Sequence, residues 1–129
     1  MSVNNDVLTA VIALAQATSP YATILRGALP ADNGITMTAS GGAPETTFAD
    51  KGAVCTLDIV INGKHEEQEK VADALNKIHE ALTKAKTFTS ATAYQIMNII
   101  TTSEPNYIDR ELNNQFLYGS SVEVTFYRR

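Results

Sequence analysis

Between Ala53 and Leu82 the spacing of apolar residues changes once, and that change restricts the fold more than any other feature of the 129-residue sequence. Cys55, Leu57, Ile59 and Ile61 recur at every second position, the period of a strand with one buried face, while Thr56, Asp58 and Val60 take the other face. Val71, Leu75, Ile78 and Leu82 then recur at intervals of four, three and four, the period of a helix with one apolar stripe. The helix must therefore bury its stripe against a sheet. Asn62 and Gly63 read as the turn between the two elements. Glu66, Glu67 and Glu69 fall at the helix start, and Lys77, Lys84 and Lys86 toward its end, the order that the backbone dipole favours.

The remaining segments extend the pattern on both sides. Asn5 or Asp6 is expected to cap a first helix, with Val7, Leu8, Val11, Ile12 and Ala15 on one stripe, and Pro20 bounds it. Tyr21 to Leu25 reads as a short strand, Pro30 to Gly34 as a turn, and Ile35 to Ala39 as a half-buried strand. Ser40 to Lys51, with Gly41, Gly42 and Pro44, reads as a flexible arm. Ala93 to Thr101 is a strand with Tyr94, Ile96, Asn98 and Ile100 on one face and Gln95, Met97 and Ile99 on the other. Apolar groups on both faces place it inside the sheet or at a subunit contact. Strand pairing is expected to lapse over Ser103 to Gln115, which is polar and contains Pro105 and Asn106. Val122, Val124 and Phe126 alternate with Glu123, Thr125 and Tyr127 in a last strand, which Phe116 to Tyr118 can begin early, with Gly119 marking a bulge or bend.

Composition narrows the function. Ten basic and 14 acidic residues give a net charge of −4, and no segment gathers Lys and Arg as a nucleic-acid reader requires. The single cysteine, Cys55, forms no internal disulfide and suits a reducing compartment. Asn4, Asn5 and Asp6 stand where a signal peptide carries positive charge, and the apolar run Val7 to Ala15 is too short to cross a bilayer. One soluble, unexported domain over residues 1–129 is the expectation.

No residue set carries a catalytic signature. His65 and Glu69, four apart, suggest a metal pair, but the second histidine of a zinc-protease helix is missing and an acidic helix start explains the glutamate. His79 reads as a flanking helix residue. Gly41, Gly42 and Thr46 lack the lysine and following helix of a phosphate loop. Arg110 and Glu111 read as rim charges, and Arg128 and Arg129 as solubilising ones. Tyr94, Tyr107, Phe116, Tyr118 and Tyr127 crowd the C-terminal half, where any exposed members would form an assembly surface. A part that assembles, with no catalytic residue, cofactor or metal, is the expected class.

Three segments carry a family likeness: Asp58 to Lys64 (DIVINGK) leading into the helix, Tyr94 to Pro105 (YQIMNIITTSEP), and Gly119 to Arg129 (GSSVEVTFYRR). In these and in element order from Asn5 onward, the chain resembles the tail terminator proteins of tailed bacteriophages, and is also similar to small phage minor capsid proteins. The resemblance implies an α+β fold: a small, mainly antiparallel sheet of four to five strands, with an N-terminal helix and one central amphipathic helix packed on one face. It further implies a virion protein, made in the bacterial cytoplasm, that forms a hexameric ring at the head-to-tail junction. Such a ring caps the tail tube protein, meets the head connector protein, and lets duplex DNA pass without specific binding, which the acidic balance suits. The segments Ser40 to Lys51 and Ser103 to Tyr118 would then face neighbours, with Thr46, Phe48, Tyr107, Arg110, Glu111, Phe116 and Tyr118 as candidate interface residues. A head-completion or connector protein, and a small cytoplasmic adaptor, stay open as alternatives.

Overall fold

The computed structural model describes residues 3–30, 32–47, 53–85, 94–111 and 114–128. In chain order these form α1 (Val3–Gln16), β1 (Ile24–Arg26), β2 (Gly34–Thr47), β3 (Ala53–His65), α2 (Gln68–Lys84), β4 (Tyr94–Arg110) and β5 (Phe116–Arg128). The five strands make one sheet in the order β1-β2-β3-β5-β4. Only β1 and β2 run parallel; every other neighbouring pair is antiparallel. The fold is α+β, with two helices and a mostly antiparallel sheet, as expected.

The core lies between the helices and one sheet face. Val7, Val11 and Ala15 of α1 and Val71, Leu75, Ile78 and Leu82 of α2 meet Ile35, Met37, Leu57, Ile59, Ile61, Val122, Val124 and Phe126. The alternation in β3 and β5 and the stripe on α2 thus point inward as their spacing dictates. Cys55 is buried and free.

Several local expectations are corrected. Asn62 and Gly63 do not turn; β3 runs on to His65. A Cβ on Gly63 would stand 3.0 Å from Val71 Cγ2 and 3.2 Å from the Tyr21 hydroxyl, so the glycine serves close approach of strand and helix. Helix α2 accordingly starts at Gln68, with Glu67 as its N-cap residue, and His65 ends the strand, so His65 and Glu69 share no helical face. The His65 ring accepts a bond at Nδ1 from the Glu67 N–H, 2.9 Å, across the strand-to-helix junction. Helix α1 begins by Val3, placing Asp6 in its first turn rather than at the cap.

The edge strands depart furthest from expectation. Residues 40–47, read as part of a flexible arm, continue β2 against β3, with register shifts at Gly41/Pro44 and Pro44/Thr46 absorbing the glycines and proline. Residues 103–110, where pairing was expected to lapse, continue β4 against β5, and Pro105 falls within the shift between Ser103 and Asn106. Proline is tolerated there because β4 is the last strand of the sheet. A further shift between Ile96 and Asn98 switches the buried side, so that Ile99 is buried and Ile100 exposed, the reverse of simple alternation. Gly119 marks no break against β3, whose pairing with β5 is continuous from His65↔Phe116 to Ala53↔Arg128.

Candidate assembly surface

Four of the residues singled out by sequence converge where β4 turns into β5. Tyr107 stands opposite Tyr118 in the ladder, with ring centroids 5.9 Å apart, and 6.3 Å from the Phe116 ring. Arg110 lies over the Phe116 ring, 5.4 Å from its centroid, and its guanidinium donates to Asn114 Oδ1 at 2.8 Å. Tyr118 is buried and its hydroxyl accepts from the Gln68 side-chain amide at 2.8 Å, whereas Tyr107 is 49% exposed. The cluster therefore grades from core to surface. Thr46 lies at the opposite end of the sheet, paired with Val54, and Phe48 lies outside the described residues.

Glu111 belongs to a polar joint beneath this cluster. Its carboxylate pairs with the Lys64 ammonium at 2.8 Å, and the Lys64 side chain is only 7% exposed. Alternation gives no sign of this burial, since Lys64 falls on the face opposite to Ile61 and Gly63, where a lysine is expected to be exposed. The turn is closed by the Glu111 N–H donating to the Gln115 carbonyl at 2.8 Å. The Gln115 side chain in turn accepts from the Asn33 N–H at 2.8 Å, tying the turn to the start of β2. Tyr21 completes the joint: its hydroxyl sits 2.9 Å from both the Gly34 and Lys64 carbonyls, and its ring meets His65 edge-on at 4.7 Å. Burial raises the pKa of this phenol, the Lys64 backbone contact opposing only in part.

The sheet face away from the helices and the outer face of β4 expose the large apolar groups Val60, Met97, Ile100 and Ile108, with Met97 55% and Ile108 53% exposed. Ile108 lies across Gly119, where a Cβ would stand 2.6 Å from its Cδ1. On the same face Asp58 and Glu123 stand directly opposite one another across β3 and β5, a like-charge pairing that costs stability. Beyond Met37, β2 has no strand on its outer side among the described residues, because β1 pairs only with Ile35, Thr36 and Met37. Among the described residues the sheet thus presents two open edges.

His79 is buried where α2 packs on β4, with Nδ1 3.0 Å from the Thr101 hydroxyl and Nε2 without a partner among the described residues. Desolvation lowers its pKa, and the nearby Glu104 carboxylate opposes this. Its spacing of four from Leu75 and three from Leu82 put it on the apolar stripe, a signal stronger than its polarity. A groove of about 500 Å³ along α1 is lined mainly by Thr9, Ala10, Ala13, Leu14 and Tyr94, with Asp6 as its carboxylate. Among the described residues, no group of three His, Cys, Asp or Glu side chains is placed to hold a metal ion. No helix among them is long and apolar enough to cross a membrane.

No protein-family model matches the chain, and no curated protein matches it. Among solved structures, the chain is similar to one in the virion of a native gene transfer agent particle. The two are 14% identical, with a TM-score of 0.63 and 92% of each chain covered. This is a likeness of fold over nearly the full length of both.

Proposed function

We propose that this chain is a structural protein of a phage-like virion, and that it acts as a tail terminator: a closed ring that caps the tail tube and joins it to the head connector. The observation that carries this reading is the fold shared, over 92% of both chains, with a component of a gene transfer agent virion. The sheet edges left open among the described residues support it, since a strand with unpaired backbone groups is a ready template for another strand. In the ring each copy contacts the next through two different surfaces, a heterologous contact that closes by rotation. Its action is steric and requires no bond-making chemistry: the seated ring covers the surface on which another tube layer would dock. Acidic side chains such as Asp58 and Glu123 suit a channel through which duplex DNA slides without sticking.

Light scattering on the purified protein and labelled electron micrographs of purified tails test the reading. A ring mass in solution and label at the head-proximal end of the tube are expected. A persistent monomer, or label confined to the head, contradicts it.

A further inference from the structure

The two edges of the sheet match each other in strand sense, height and side-chain character. We infer that the ring is closed by strand addition, with the β4 edge of one copy pairing antiparallel to the β2 edge of the next. The inference rests on the ring reading above and names the surfaces that would build it.

Strand sense follows from topology. β2 and β5 run one way, β3 and β4 the other. Rotation about a ring axis preserves this order, so the β4 of one copy meets the β2 of its neighbour in antiparallel fashion, the pairing that the rest of the sheet already uses. Height follows from register. Thr47 is level with Ala53, Arg128 and Tyr94, and Thr38 with Val60, Ser121 and Ser103. The open stretch Thr38 to Thr47 on one side therefore equals in length and height the stretch Tyr94 to Ser103 on the other.

Below Thr38 the place beside β2 is taken by β1, so the rest of β4 would step outward by one strand width, about 4.8 Å, at its Ser103/Asn106 shift and pass β1, and there side chains complement one another. Leu25 is exposed and level with Asn106, beside the exposed Ile108, both on the face away from the helices. Arg26, which bonds Thr9 of α1, is level with the Ser103/Asn106 shift that contains Glu104, the carboxylate felt by His79 on the helix side. Apolar would meet apolar, and cation would meet anion. Edges with unpaired N–H and C=O groups are ready templates for another strand, and the chain itself supplies one of fitting length.

Disulfide cross-linking tests this in the otherwise native chain, whose own Cys55 is buried. Thr38→Cys protein is mixed with Thr102→Cys protein, both exposed positions at the same height, and oxidised. The expected result is a mixed dimer, little of either homodimer, and a ladder ending at the ring mass when one chain carries both cysteines. Homodimers through Thr38→Cys or Thr102→Cys alone would overturn the inference in favour of two-fold edge contacts. A second variant, Met97→Lys with Ile100→Lys, places charge on the β4 edge, and is expected to yield folded monomer by circular dichroism and light scattering. Rings that persist in that variant overturn the edge pairing while leaving the ring reading intact; native protein that never assembles defeats the ring reading itself.

Discussion

The central strands β3 and β5 and the outer strands β2 and β4 obey different rules within one sheet. β3 and β5 pair without a register shift over their whole length, and their inward residues from Cys55 to Ile61 and from Val122 to Phe126 are buried. β2 and β4 pair with them through repeated shifts, and hold the prolines Pro44 and Pro105. A strand held on both sides, with one face in the core, cannot slip by one residue without exposing every apolar group it carries. A strand with a free side can bulge, because the extra residue projects where nothing is displaced. The irregularity of the outer strands is thus a consequence of their position, and it leaves their backbone groups available to another chain.

Substitutions can break this contrast. Phe126→Ala, in the fully buried centre, is expected to destabilise the fold by about 3–5 kcal/mol, whereas Pro105→Ala on the edge should stay within about 0.5 kcal/mol of the native chain, as read from urea titrations of both variants. Comparable losses at the two sites would mean that β4 is pinned as firmly as β5. Next in size is Glu111→Gln. It leaves the buried Lys64 ammonium without its carboxylate, and a loss of about 1–3 kcal/mol by thermal denaturation is expected, with the turn at 111–115 loosened first. Tyr21→Phe removes the hydroxyl shared by the Gly34 and Lys64 carbonyls and should cost about 1 kcal/mol on the same measure.

The smallest effect sharpens the contrast between β4 and the helix beneath it. The folded-state pKa of His79 lies below its ordinary value of 6.5, so near and below that pH the unfolded chain binds more protons than the folded one. The contribution of neutral His79 is therefore fully present above about pH 6.5 and declines as pH falls below it. Melting temperatures between pH 7.5 and 5 should fall less steeply in His79→Gln than in the native chain. Equal slopes would show that the buried ring does not carry that dependence.

What could be read from sequence follows the same division. α2, β3 and β5 were legible because each has a single period and a single buried face, and the family likeness supplied the layer arrangement. β2 beyond Ala39 was hidden because Gly41, Gly42 and Pro44 signal a loop to any local reading, while a neighbouring strand with strong pairing holds them extended. The inversion at Ile96/Asn98 could not be read, since a bulge changes parity without changing composition. Of the candidate interface residues, Tyr107, Phe116 and Tyr118 are recognisable as part of an aromatic set and Arg110 as a rim charge, but their meeting depends on the turn at 111–115, whose anchors Lys64 and Asn33 are distant in sequence.

Hydrogen exchange, compared between assembled protein and protein diluted to monomer, tests the central claim most directly. Assembly through the open edges predicts new protection confined to Thr38–Thr47 and Tyr94–Ser103, with β3 and β5 equally protected in both states. Unchanged edges, with protection gained instead on α1 or α2, would contradict it.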